Sequence, residues 1–276
     1  MAVLGVIADV HGNREALEQV LRKLDLLDVE VIYCLGDLIG YCAEPNACIA
    51  IAKERALRCI HGNHELIALA RLGYERCAPR PAYALRRTRQ TLDGASRAYI
   101  EALPPYLEDG RAVFIHGGVD DVCEYMTSPA RILANARALE ARFPGKDVCF
   151  FGHTHAPKVY EVHGDRVVEH DGEGRMVFPG GGAPLFVNPG AVDGSRNPRD
   201  ELARFAVFDD RARSITFYSV PYDHPAVEQR ARDQGYRLPR AVAAWHKLAG
   251  LADRLVHFTR RARRLTSAIT RRHDRC

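Results

Sequence analysis

What most narrows the fold of this chain is the alternation of short apolar runs with amphipathic stretches over its first 60 residues. Val3 to Ala8 is an apolar run of strand length. Arg14 to Leu27 places Ala16, Leu17, Val20, Leu21, Leu24 and Leu27 on one helical face. Asn13, just before it, stands where an N-cap is expected. Val31 to Leu35 reads as a second buried strand, Pro45 to Glu54 as a helix with proline in its first turn, and Leu57 to Ile60 as a third strand. A βαβαβ order predicts a largely parallel sheet with helices on its faces.

Further along, residues 64–102 read as mostly helical, interrupted near Gly73 and around Pro79 to Pro81. Ala112 to Ile115 and Val148 to Phe151 are strands, separated by a helix that opens at Ser128–Pro129 and runs to Arg142. The pattern then turns to β. Val159 to Val162 and Arg166 to Glu169 flank His163-Gly164-Asp165 as a hairpin, and Phe186–Val187, Ala203 to Phe208 and Ser214 to Val220 follow. Residues 171–183 are Gly-rich and read as a mobile surface loop, and two or three helices close the chain. The βα-then-β order predicts an α/β fold of two packed sheets with helices outside.

Composition excludes several classes. No apolar run is long enough to span a bilayer. The N-terminal run lacks a basic leader and a cleavage site, so a strand is expected there, not a signal peptide, and the cytoplasm is the expected compartment. None of the eight cysteines forms a CxxC pair, which argues against thiolate zinc, and a disulfide framework is not expected. The net charge of +4 is uneven: residues 253–276 hold eight Arg and two Asp, or +6, leaving −2 for residues 1–252. We therefore expect a main domain over 1–250 and a basic helical tail over 251–276. The tail reads either as a solvated amphipathic helix or as a segment that attracts nucleic acid or another polyanion.

Polar residues recur where the expected strands stop. Asp9-Val10-His11-Gly12-Asn13 follows the first, Gly36-Asp37 the second, and His61-Gly62-Asn63-His64-Glu65 the third. His116-Gly117-Gly118 and Gly152-His153-Thr154-His155 follow the strands at 112–115 and 148–151. Ligands of open α/β sheets bind at the carboxyl ends of the strands. Asp9, Asp37, Asn63 and four histidines make an oxygen and nitrogen donor set, which suits Mn, Fe, Zn or Ni better than Ca or Mg. Seven ligands exceed the needs of one tetrahedral ion and suit two, about 3.5–4 Å apart, sharing a carboxylate.

Asp-x-His, Gly-Asp, Gly-Asn-His-Glu, a strand-terminal His and Gly-His-x-His, in this order, resemble the calcineurin-like metallophosphoesterase family. Asn188-Pro189-Gly190 is similar to a later element of that family. The resemblance implies an αββα sandwich of two mixed sheets and hydrolysis of phosphate monoesters or diesters. It implies one metal on Asp9, His11, Asp37 and His155, and another on Asp37, Asn63, His116 and His153, with Asp37 bridging. A hydroxide between the ions would be the nucleophile. His64 would face the substrate, stabilising charge or protonating the leaving oxygen, and Arg196 would contact the phosphate.

The stretch Gly36-Asp37-Leu38-Ile39-Gly40-Tyr41-Cys42 departs from the Gly-Asp-x-x-Asp-Arg-Gly of the protein Ser/Thr phosphatases in that superfamily. It lacks both the Asp that would orient His64 and a phosphate-binding Arg. Gly-Tyr at 40–41 instead looks like a bacterial branch of small phosphodiesterases and phosphatases. A small phosphoester is the expected substrate, with a dinucleoside polyphosphate as the alternative and nucleic-acid association through the Arg-rich tail as a reading of another class. His61 is expected to be a core or supporting residue, Glu65 a charge suited to a helix start, and Cys42 a neutral replacement. His163, His170, His224, His246, His257 and His273 are expected to be surface or structural residues.

Overall fold

The computed structural model of the protein describes residues 3–178, 183–196 and 200–238. Its first strands and helices follow the sequence pattern closely: β1 (Val3–Ile7), α1 (Arg14–Asp25), β2 (Val31–Cys34), α2 (Pro45–Glu54) and β3 (Arg58–Cys59). The Asn13 side chain accepts from the Ala16 N–H and caps α1, and Pro45 opens α2. The helical stretch after β3 divides into α3 (Asn63–Ala68), α4 (Pro79–Thr91) and α5 (Gly94–Glu101). Next come β4 (Leu107–Asp109), β5 (Ala112–Phe114), α6 (Pro129–Arg142) and β6 (Val148–Phe150). The β-rich remainder comprises β7 (Lys158–His163), β8 (Arg166–Asp171), β9 (Arg175–Val177), β10 (Leu185–Asn188), β11 (Ala203–Asp209) and β12 (Ser214–Val220), and then α7 (His224–Asp233).

Two six-stranded mixed sheets result, ordered β3-β2-β1-β11-β12-β9 and β4-β5-β6-β10-β7-β8. In the first, β1, β2 and β3 are parallel and the remaining pairs antiparallel. In the second, β5, β6 and β10 are parallel. The alternation of each strand assigns its two faces. Leu4, Val6 and Ala8 of the first sheet meet Phe114, Val148, Phe150 and Val187 of the second in one apolar layer. Ile7 and Cys34 point the other way, into a layer with Leu17, Val20 and Leu24 of α1 and Ile49 of α2. Cys149, Phe151 and Phe186 pack with Ile132 and Leu139 of α6. The order helix, sheet, sheet, helix is the expected αββα sandwich.

One expectation is corrected and one element is added. The Gly-rich stretch 171–183 is not wholly a loop: Asp171 ends β8, and β9 pairs with β12 at a sheet edge. Phe178 is buried between the sheets, and the apolar residues Met176 and Phe178 supply the packing that the glycine count concealed. The short strand β4 was not anticipated; Leu107 pairs with Phe114 beside β5. Of the closing helices, α7 is described. The others, the boundary near residue 250 and the basic tail over 251–276 lie outside the described residues.

Candidate metal centre

The two sheets bring five strand ends to one place. Asp9 and His11 follow β1, Asp37 follows β2, Asn63 opens α3 after β3, His116 follows β5, and His153 and His155 follow β6. Parallel pairing aligns these ends within each sheet, and contacts between sheets join them. Nδ1–H of His116 donates to the Leu35 carbonyl (2.7 Å), and the His153 N–H donates to Asp9 (3.0 Å). The loops after β1 and β2 are zipped by backbone bonds, His11 N–H to Asp37 O (2.8 Å) and Gly12 N–H to Leu38 O (2.7 Å).

All seven residues expected as metal ligands converge. Three groups of side-chain donors have the spacing of an ion site: Asp9, His11 and His155; Asp37, His116 and His153; and His11, Asp37 and His64. Nε2 of His155 is 3.4 Å from Asp9 Oδ1 and 3.0 Å from His11 Nε2. Nε2 of His116 is 3.5 Å from Asp37 Oδ2 and 3.0 Å from Asn63 Oδ1. Asp37 belongs to two of the groups, so its carboxylate stands between them.

Three features show that this set fits metal ions. The first is backbone conformation. Asp9, His11, Asp37, His153 and His155 all have positive φ, between 53° and 65°. Side chains other than glycine rarely adopt that region, and clustered strain of this kind marks functional sites. The second is tautomer. Nδ1–H of His11 and of His64 donate to one acceptor, the Ile39 carbonyl (3.3 and 3.2 Å), and that of His116 to Leu35. Each ring is thereby oriented with Nε2 turned to the cluster, as ligating histidines require. The third is unpaired polarity: His153 Nε2 is buried without a hydrogen-bond partner.

Protonation agrees with ligand chemistry. Burial, reinforced by the neighbouring imidazoles, lowers the pKa of His153 to about 3 and holds His11 and His155 well below the ordinary histidine value. These rings are neutral near pH 7 and carry a lone pair. Burial lifts the Asp9 carboxyl to about 7. Burial would also raise Asp37, but His116 and His64 overcome it and hold that carboxyl well below its usual range. Burial would depress His116, yet Asp37 and Asp9 lift it to about 9. Without a cation, His116 is the counter-ion of Asp37; a cation held by these residues would displace that proton.

Several supporting residues were not evident from sequence. Ile39 supplies the orienting acceptor for His64 through its carbonyl. Gly40 makes the double bond possible: at its φ of +147°, a Cβ would meet His64 Nδ1 at 2.3 Å and His11 Nδ1 at 2.7 Å. Glu65 does more than suit a helix start. Fully buried, its carboxylate accepts from the N–H groups of Gly62, Asp37 and Ile39 (2.7, 2.9 and 3.2 Å), and burial lifts its pKa to about 7. Asn188 donates to Gly152 O and Thr154 Oγ1 (2.7 and 2.9 Å), bracing the loop that carries His153 and His155. Asp193 accepts from Asn13 (2.9 Å), and its N–H donates to Asp9 O. The Asx-type partners in these loops are legible as polar residues beside glycine, but their partners are remote in sequence.

His64 lines the cleft above the cluster, with Nε2 3.7 Å from Asp37 Oδ2, and burial lowers its pKa. Arg196 also lines that cleft, exposed at its rim and hydrogen-bonded to Tyr125. Tyr125, another residue the sequence did not single out, packs on His153 with ring centres 4.1 Å apart. His61 is half-buried and belongs to none of the three groups. Cys42 is buried beside Asp193, and His163, His170 and His224 pair with Glu161, Glu161 and Glu201 away from the cluster. His246, His257 and His273 lie outside the described residues.

The chain belongs to the calcineurin-like phosphoesterase superfamily, whose domain model matches residues 2–212. The crystal structure of a metallophosphoesterase from Sphaerobacter thermophilus superposes with a TM-score of 0.70 at 29% identity, covering 88% of this chain and 97% of that one. A hypothetical protein from Pyrococcus horikoshii OT3 shares the fold, with a TM-score of 0.68, 20% identity and coverage of 88% and 96%. An uncharacterized protein of Methanocaldococcus jannaschii is 26% identical over 230 residues, 80% of this chain and 88% of its own length. Membership makes phosphoester hydrolysis the class of activity, and the Asp and His groups can hold metal. Among the described residues, no helix is long and apolar enough to cross a membrane.

Proposed function

We propose that the protein hydrolyses small phosphate esters with two metal ions. One ion would be held by Asp9, His11, Asp37 and His155, and the other by Asp37, Asn63, His116 and His153. The observation that carries this reading is the convergence of five loops on Asp37, whose carboxylate shares one donor group with His11 and His64 and another with His116 and His153. When bound, the pair of ions supplies Lewis acidity toward phosphoryl oxygen and brings the pKa of water toward neutrality. Mn²⁺ is our proposed working metal; Fe, Zn and Ni suit the same donors.

The chain's own residues do the rest. The glycine-walled loops keep the seven donors in place before substrate arrives, so no reorganisation is needed during reaction. His64, tethered through Nδ1–H to Ile39, offers Nε2 to the cleft. Beside a phosphate dianion that nitrogen can take a proton and pass it to the leaving oxygen. Arg196 at the rim holds a phosphate oxygen by charge-assisted hydrogen bonds.

Hydrolysis of p-nitrophenyl phosphate and bis(p-nitrophenyl) phosphate tests the proposal. We expect activity with Mn²⁺ that chelator abolishes, and two metals per chain by elemental analysis. Asp37→Asn should lose about a thousandfold in kcat/KM, since both ions share that carboxylate. Wild-type turnover in that variant, or full activity in chelator, would refute the two-ion assignment.

A further inference from the structure

Above the ion-binding floor the cleft is built from cations and phenols. Among the described residues that line it, Asp37 is the one carboxylate, whereas Arg76, Arg80 and Arg196 all contribute. The three guanidiniums differ in what already engages them. Arg76 Nη2 is bound by both oxygens of Asp121, at 2.9 and 3.0 Å, so its charge is matched. Arg196 bonds to Tyr125 and lies in the field of Asp9. Arg80 stands one ring further out. Its guanidinium carbon is 5.9 Å from the centre of the Tyr41 ring, and Tyr41 packs edge-on against His11 at 4.4 Å. The carboxylate paired with Arg80, Glu228, is 3.7 Å away, beyond a normal hydrogen bond, and is shared with Arg232 and His224.

Arg80 is also the second residue of α4, whose first turn has neither a side-chain cap nor an acidic residue. Pro79 and Pro81 carry no N–H, and the Ala82 N–H is taken by Ala78 O. The Arg80 amide and guanidinium are therefore the donors this end of α4 offers to an anion. One scissile phosphate is served by the ions and by Arg196. A further cation lining the same cleft beyond Tyr41 matches a substrate that carries charge beyond that phosphate.

We infer that the substrate is an ester with a second phosphate adjoining the scissile one, and that Arg80 binds this second phosphate. The inference rests on the phosphoesterase reading of the floor. In the reaction, a water oxygen bonds to the terminal phosphorus and the bond from that phosphorus to the bridging oxygen breaks. The bridging oxygen departs on the retained phosphate. The products are orthophosphate and a phosphate monoester, with one proton released.

Two measurements test this, the first without turnover. Metal-free protein is titrated calorimetrically with methylenediphosphonate and with methylphosphonate. The former should bind at least about tenfold more tightly, and in Arg80→Ala the difference should fall below about threefold, with partial recovery in Arg80→Lys. In Mn²⁺-loaded protein, Arg80→Ala should lower kcat/KM for ADP at least about tenfold more than kcat/KM for p-nitrophenyl phosphate. Equal wild-type affinity for the two phosphonates, a preference undiminished in Arg80→Ala, or turnover of p-nitrophenyl phosphate without turnover of ADP overturns the inference. No turnover of either p-nitrophenyl ester with Mn, Fe, Zn or Ni overturns the phosphoesterase reading itself, and the inference falls with it.

Discussion

The floor of the cleft and its rim are built on opposite principles. On the floor, Asp9, His11, Asp37, Asn63 and His116 are at most 2% exposed, and most of them sit on strained backbone fixed by neighbouring loops. At the rim, the Arg76 and Arg80 side chains are 43% and 48% exposed, and Tyr125 is 44% exposed. Floor residues are positioned by hydrogen bonds to backbone atoms, which a mutation elsewhere barely moves. Rim residues are positioned by other side chains. The contrast teaches that the reaction type is set where the chain has no freedom, and substrate choice where it has much.

The sharpest way to break the comparison is to intrude on the floor without replacing a ligand. Gly40→Ala would drive a methyl into His64 and His11 at a backbone angle alanine disfavours. We expect it to cost about 1–3 kcal/mol of stability and to remove most metal binding, read by thermal denaturation and elemental analysis. The control is Gly110→Ala, which also has positive φ but meets nothing within 4 Å, and should cost no more than about 1 kcal/mol. Equal effects of the two would show that the close approach at Gly40 is unimportant.

Next in size is His64→Ala. It removes a proton donor but no proposed ligand, so metal content should stay at the wild-type level while kcat falls by about 10²–10⁴. Loss of metal along with turnover would move His64 into the ion-holding set, in line with the third donor group it forms with His11 and Asp37. The smallest effect belongs to the rim. Tyr125→Phe deletes the hydroxyl that bonds Arg196 but keeps the ring on His153. KM should rise by about three- to tenfold, with kcat and melting temperature unchanged. A fall in kcat of the same size would place Tyr125 among the floor residues instead.

Much of this architecture was legible because it is local. Asn13 caps α1 three residues away, proline opens α2 and α6, and the period of two in β1 separates Leu4 and Val6 from Ile7. The donor residues themselves were legible because each belongs to a short polar cluster that contains glycine and lies just past an apolar run. The β9 edge was not, because the three residues that follow Gly174 carry too little period to distinguish a strand from a loop. Glu65 was read as a helix-start charge for a similar reason. Its bond to Gly62 is local, whereas those to Asp37 and Ile39 cross 28 and 26 residues.

The sequence by itself determined the chemical identity of the donors, their order along the chain and their station at strand ends, since each depends on a few neighbouring residues. Only the tertiary structure decided which nitrogen of each imidazole is free, that Asp37 stands between two groups, and that one carbonyl orients both His11 and His64. Those outcomes depend on which loops adjoin. His11 meets His155 across 144 residues, and Asn13 meets Asp193 across 180. No local propensity encodes such a meeting; it follows from packing two apolar sheet faces together, which places every strand end in register with partners the backbone reaches last.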